Sequence, residues 1–263
     1  MDANPTLRLM TAQDWDGFNG LGSSIETISA DHFRRRVDKG GFFGLFIGTD
    51  MVGHMNLNLY GDDEGHFQSI YIDLGHRGKG LSNTMMAHAL SWYRERDVKR
   101  VHLYTEVDND VAHKLYKKYG FTLDSRAWHF IVPFSAISPS SKYTCHEILE
   151  EDIEAVGNRF QRFPAGEIAR WLNREDRMSL MLKDTQGRIV GACLFTPGFP
   201  GCRPFEISTV DCLDDFIVGI KARSLPEFDF VRLTFAGNDE LADLCRQRGY
   251  ELVHEMLYFT QDL

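Results

Sequence analysis

Apolar and polar positions along the chain fall into two successive series of the same kind. Thr6 to Met10 alternates as a strand, and helical spacing follows at about 12–20 and 29–38. Phe42 to Ile47 and Met51 to Leu59 read as a hairpin turning at Gly48-Thr49-Asp50. Phe67 to Asp73 is a further strand. A long helix over about 80–96 carries Leu81, Met85, His88 and Trp92 on one face. Val101 to Thr105, a helix at 109–119 and a strand at Ala127 to Val132 close the first series. Hairpins mixed with helical crossovers imply an α/β layer with a mixed sheet.

Phe134-Ser135-Ala136-Ile137-Ser138-Pro139-Ser140-Ser141 is a short Ser/Pro-rich linker that cuts the chain nearly in half. Spacings on its two sides repeat. Asp14 to Gly53 and Asp152 to Gly191 are both 39 residues, Asn109 to Gly120 and Asn238 to Gly249 both 11, and Gly120 to Phe130 and Gly249 to Phe259 both 10. One interval differs: Gly53 to Asn109 is 56 residues, but Gly191 to Asn238 is 47. The sequence therefore reads as a duplication, with residues 1–134 and 143–263 as its domains and nine residues missing from the second copy.

The first copy has Ser69-Ile70-Tyr71-Ile72-Asp73-Leu74-Gly75-His76-Arg77-Gly78-Lys79-Gly80-Leu81-Ser82-Asn83 in the interval that is shortened in the second. A strand enters a glycine-rich turn and a helix follows at once. Amides at a helix start lack intrahelical partners and sit at the positive end of the dipole, which suits a pyrophosphate. Arg77 and Lys79 add charge. Walker and GxGxxG spacings are absent.

Some thirty residues on, Thr105-Glu106-Val107-Asp108-Asn109-Asp110-Val111-Ala112-His113-Lys114-Leu115-Tyr116-Lys117-Lys118-Tyr119-Gly120-Phe121 forms a strand end, a helix and a Gly-Phe exit. Together the two segments resemble the GNAT superfamily of acyl-CoA-dependent N-acyltransferases. Arg77-Gly78-Lys79-Gly80-Leu81-Ser82 is similar to its (Arg/Gln)xxGx(Gly/Ala) signature, with Ser82 departing at the last position. Asn109, Ala112, Tyr116, Gly120 and Phe121 are similar to its Asn…Ala…Tyr…Gly-Phe helix. The likeness covers 6–133 well and 143–260 as a degenerate copy.

The resemblance implies two tandem GNAT-like domains, each a mixed, mostly antiparallel sheet flanked by helices. It implies acetyl-CoA as acyl donor, with pantetheine along Ile70, Tyr71 and Ile72 and contacted by Asn109, and with pyrophosphate on the amides from Arg77 to Asn83. Tyr116 matches the general acid, donating to the leaving thiolate. Glu106 is the first candidate base and His66 the second. Glu64, Asp108 and His54 follow, and water alone is a further option. The loop Leu21-Gly22-Ser23-Ser24-Ile25-Glu26-Thr27 is the expected acceptor side. An acyl-CoA sensor without turnover is the alternative function.

The second copy carries Thr209-Val210-Asp211-Cys212-Leu213-Asp214-Asp215-Phe216 at the turn, where the aspartates would repel a pyrophosphate, and Cys245 where Tyr116 stands. Both losses point to a half that shapes the acceptor cleft and packs on the first, mimicking a dimer within one chain.

Bulk properties narrow the remaining classes. The chain has 263 residues, 43% hydrophobic and 25% charged, with net charge −9. That balance disfavours nucleic acid and anionic membrane as partners and fits a small-molecule or peptide amine. Five cysteines without ligand spacing suggest reduced thiols and no metal. No signal-like or membrane-spanning stretch stands out, so a cytoplasmic location is expected.

Overall fold

Four of the anchor pairs of the internal repeat do the same physical work in both halves. The carboxylate of Asp14 accepts from the Thr11 amide at 2.7 Å, and that of Asp152 from the Leu149 amide at 3.1 Å. Asn109 caps its helix through the Ala112 amide at 3.2 Å, and Asn238 through the Leu241 amide at 2.9 Å. Gly120 and Gly249 leave their helices at φ +89° and +69°, a region that favours glycine. Phe130 and Phe259 are fully buried.

The computed structural model describes residues 4–21, 28–61 and 63–263. The first half runs β1 (Pro5–Leu9), α1 (Trp15–Gly20), α2 (Ala30–Lys39), β2 (Phe42–Ile47), β3 (Asp50–Tyr60), β4 (Glu64–Ile72), α3 (Leu81–Arg94), β5 (Arg100–Glu106), α4 (Asp110–Lys118) and β6 (Thr122–Pro133). The second repeats that order as β7 (Tyr143–Glu147), α5 (Ile153–Arg159), α6 (Ala165–Leu172), β8 (Met178–Asp184), β9 (Ile189–Thr196), β10 (Gly201–Ile207), α7 (Leu213–Lys221), β11 (Phe230–Ala236), α8 (Asp239–Gln247) and β12 (Glu251–Asp262). Part of the nine-residue deficit falls in the β9–β10 hairpin, where Gly191 and its partner Ile207 are 16 residues apart against 19 for Gly53 and Ile72, and part at the turn into α7, itself 9 residues long against 14 for α3.

Among the described residues twelve strands join one sheet, ordered β1-β2-β3-β4-β5-β12-β6-β11-β10-β9-β8-β7. As expected, the sheet is mixed and mostly antiparallel; among the described residues parallel pairing occurs only between β4 and β5 and between β10 and β11. The sixth strands are exchanged: β12 pairs with β5, β6 pairs with β11, and the two pair with each other in the middle.

Packing explains the exchange. Trp128, Phe130 and Val132 of β6 enter the core formed by Leu180, Phe195, Phe216 and Phe235 of the second half. Phe259 of β12 enters the first-half core with Met85, Leu103, Tyr116 and Phe121. Burying a Phe or Val contributes roughly 1.5–3 kcal/mol. A few such side chains therefore rival the total stability of an ordinary domain, about 5–15 kcal/mol.

The linker is fixed by the second-half aspartates. Asp215 accepts from the Ser140 hydroxyl at 2.6 Å and from the amides of Ser141, Lys142 and Tyr143 at 2.9, 3.2 and 3.3 Å. Asp214 accepts from the Ser138 amide at 3.0 Å and is paired with Arg248. The aspartates read as opposed to a pyrophosphate at this turn thus clamp the chain connecting the halves. Burial pulls the Asp215 carboxyl up, and its four donors outweigh that and hold it below the usual carboxylate range.

Two outcomes follow from this architecture. A chain ended after Ser138 leaves both β5 and β6 with unpaired edges and should aggregate or exchange strands with another copy; a soluble monomer by light scattering would show that the exchange is dispensable. Asp215→Ala should cost about 1–3 kcal/mol in denaturant unfolding, with Asp215→Asn milder because one acceptor oxygen remains.

Candidate active site

β4 and β5 stay paired for only three residue pairs, Glu64 with Arg100, Gly65 with Val101 and His66 with His102. Beyond them the strands part. A cavity of about 790 Å³ opens beside the free stretch of β4 and runs to the start of α3. Ile70, Tyr71 and Ile72 line it from β4, Arg77, Gly78, Gly80, Leu81, Ser82 and Asn83 from the turn, and Asn109 and Ala112 from α4. His76, Val111 and Leu115 complete the wall and were not singled out in the sequence. Their only signal was adjacency to the motif residues. Lys79 is exposed and, like Tyr116, stands outside the lining.

The turn is shaped before any ligand arrives. The Asp73 carboxylate accepts from the Gly75 amide at 3.1 Å and contacts His76 Nδ1 at 3.3 Å, a partner that draws the carboxyl downward. Gly78 and Gly80 sit at φ +74° and +78°, and a Cβ at Gly80 would meet nothing nearer than Asn83 at 3.8 Å. Backbone conformation, not room, therefore demands glycine there. Among the described residues, no backbone carbonyl accepts from the amides of Gly78, Lys79, Gly80, Leu81 or Ser82, whereas the Asn83 amide bonds to Gly80 O at 2.9 Å. Such amides at a helix start form an anion site. Arg77 lies across the end of β4, its Nε donating to Ile72 O at 2.9 Å. Asn83 ties α3 to α4, its carbonyls accepting from Lys118 at 2.6 Å and from the Tyr119 hydroxyl at 2.9 Å.

Tyr116 lies deeper on α4, its ring packed on Phe67, Phe121 and Phe259 with centroids 6.3, 5.9 and 6.2 Å away. Burial pushes its phenol up to about 12, so it stays protonated at neutral pH. Phe259 comes from the exchanged strand, so the second half sets the packing of this ring. Cys245, the counterpart of Tyr116, is fully buried and its thiol is likewise pushed up to about 12 by burial.

Side chains alternate along a strand, so His66 and His102 face away from Phe67 and Leu103. They line a second cavity of about 200 Å³. Tyr60, Glu64 and Tyr104 join them from the first half, Tyr258 and Thr260 from β12, and Arg162, Trp171 and Arg203 from the rest of the second half. His66 and His102 stack at 4.8 Å, and burial drives both below the ordinary imidazole range, His102 to about 3. Burial also raises the Glu64 carboxyl to about 7, against an opposing pull from Arg100. Glu64 Oε2 lies 3.8 Å from His102 Nδ1.

The other predicted bases lie elsewhere. Glu106 is exposed and contacts His254 of β12 at 3.1 Å. Asp108 is exposed. His54 is buried, stacked on Tyr71 at 5.5 Å and edged by Phe18 and Phe42. Of the expected acceptor loop, Leu21 accepts from the Tyr71 hydroxyl at 3.1 Å, while residues 22–27, Glu26 included, lie outside the described residues. Among the described residues all five cysteines are free, no group of His, Cys, Asp or Glu could hold a metal ion, and no helix is long and apolar enough to cross a membrane.

Residues 10–121 match the acetyltransferase (GNAT) family. Streptothricin acetyltransferase of Escherichia coli is 35% identical over 81 residues, covering 31% of this chain and 47% of that protein. Mycothiol acetyltransferase of Corynebacterium efficiens is 32% identical over 82 residues, covering 31% and 28%. The match thus spans less than half the length of either curated relative. A GCN5-related N-acetyltransferase from Sphaerobacter thermophilus superposes with a TM-score of 0.69 at 16% identity, covering 98% of this chain and 95% of that one. A tandem GNAT protein from the clavulanic acid biosynthesis pathway gives 0.58 at 12%, covering 98% of each. The family match, over less than half of the chain, falls on the half that holds the glycine turn and the parted strands: that half is similar to the GNAT acetyltransferases, and the full-length likeness in fold extends over both copies.

Proposed function

We propose that the chain transfers an acetyl group from acetyl-CoA to an amine, in the half spanning 1–134, with 143–263 as a non-catalytic partner domain. The observation that carries this reading is the gap where β4 and β5 part. The anion-binding turn lies on one side of it and a cavity lined by neutral imidazoles and a high-pKa carboxyl on the other. Pyrophosphate would rest on the amides from Arg77 to Asn83, with pantetheine along Ile70, Tyr71 and Ile72 and the side-chain NH2 of Asn109 turned to it.

The neutral amine attacks the thioester carbonyl, giving a tetrahedral intermediate. The C–S bond then breaks and the thiolate leaves. Tyr116 donates to that sulfur. A carboxylate takes the proton lost by nitrogen. Glu64 suits this role better than Glu106, because a base works best with a pKa near the working pH and Glu106 is exposed and engaged by His254. Retention of Tyr116 favours turnover over an acyl-CoA sensor, since binding alone does not need that phenol.

Calorimetry with acetyl-CoA should give one site per chain, and Gly80→Asp should abolish it by forcing a carboxylate and a strained φ into the turn; two equivalent sites would contradict a single working half. Tyr116→Phe should slow turnover by about ten- to a thousand-fold with acetyl-CoA affinity kept. For Glu64, kcat/KM should climb as pH rises through about 7, because only the carboxylate accepts a proton. Glu64→Gln should remove that limb. If Glu106→Gln removes it instead, Glu106 is the base.

A further inference from the structure

The wall of the acceptor-side cavity continues into a second groove, and the two share Tyr60, His66, Trp171 and Arg203. This groove gathers Lys39, Arg96, Arg170, Arg174 and Arg203 against a single carboxylate, Glu167. A protein of net charge −9 has therefore concentrated cations beside its acceptor cavity, reversing locally what its bulk charge suggests.

The negative charge nearby is already committed. Glu167 accepts from Trp171 Nε1 at 2.8 Å and from the Gly61 amide at 3.3 Å, and it contacts Arg170 at 3.5 Å. Arg174 is paired with Asp176 at 2.8 Å. Arg162, deeper in the cavity, contacts Asp124 at 3.0 Å and Glu206 at 3.5 Å.

Arg203 differs from these. Among the described residues no carboxylate pairs with it. Its guanidinium lies 5.0 Å from the Tyr104 ring centroid and its Nη2 is 3.3 Å from His66 Nε2, which accepts only when that nitrogen is unprotonated. Burial drives His66 downward, in keeping with that neutral form. Lys39 is also pushed down, by burial and by the guanidinium groups of Arg177, Arg174 and Arg36, the direction expected where cations crowd.

We propose that the amine acceptor carries an oxyanion, a carboxylate or a phosphate, held by Arg203 where the two cavities meet. The inference rests on the acetyl-transfer reading and adds the acceptor's chemical class to it. Arginine's planar fork pairs with the two oxygens of such a group, while Glu64, in the same cavity, faces the amine. Because Arg203 belongs to β10, the second half would select the acceptor on behalf of the first.

The test compares kcat/KM for β-alanine with β-alaninamide and for phosphoethanolamine with ethanolamine, in the full chain, in Arg203→Met and in Arg203→Lys. The anionic member of at least one pair should be favoured by about tenfold or more, the ratio should fall toward one in Arg203→Met, and lysine should restore part of it. The winning pair separates carboxylate from phosphate. Calorimetry of the CoA-saturated protein with malonate and with inorganic phosphate reads the same site without turnover; saturable binding that weakens in Arg203→Met supports the proposal. Neutral amines used as well as anionic ones, a preference that survives Arg203→Met, or no binding of either anion overturns it. If acetyl-CoA binds normally while any of these occurs, the acetyl-transfer reading stands and this inference alone falls. If acetyl-CoA does not bind, both fall.

Discussion

The pairing of β6 with β12 in the centre of the sheet is the contact on which the rest depends. Without it each half lacks its sixth strand. β5 would then lose the neighbour that holds it straight over Arg100–Glu106 while β4 departs on its other side. Two strands can part in a stable sheet only if each is held elsewhere, because an unpaired backbone group must find another partner or face water. β12 supplies that hold. It also brings Phe259 against Tyr116 on one face and Tyr258 beside Tyr104 on the other, so one exchanged strand furnishes both sides of the candidate site.

Much of the fold was legible in the sequence because local physics repeats. Asp14 and Asp152, or Asn109 and Asn238, satisfy orphan amides of adjacent residues, and such short-range bonds leave fixed spacings. The exchange of β6 and β12 was not legible. Alternation tells which side chains of a strand are buried but not which neighbour buries them. Boundaries moved for related reasons. β6 begins at Thr122, five residues before the expected start, because its exposed first part pairs with β12 while its apolar core lies further on.

The candidate site divides in the same way. The glycine turn was readable, since φ above zero at Gly78 and Gly80 and a helix start after them are local demands. The second cavity was legible only in part: Glu64 and His66 stood out as candidate bases, whereas Arg203 and Tyr258 reach them from β10 and β12, more than a hundred residues further on. The linker-holding role of the second-half aspartates was not legible for the same reason. Asp214 and Asp215 were read against a phosphate, whereas their partners are amides of a linker some seventy residues earlier.

The exchange also imposes an order on synthesis. β5 ends at Glu106, and its neighbour in β12 begins to pair at Met256, 150 residues later (256 − 106). At about 5–20 residues per second, that interval on the ribosome lasts roughly eight to thirty seconds. Throughout it one edge of β5 lacks its final partner, and β6, once made, lacks β11 until residues 230–236 follow. The growing chain must cross this window without those edges finding each other or a neighbouring polysome's product. A cell making this protein would feel that burden as a demand on its chaperones, set by topology and independent of how stable the finished sheet is.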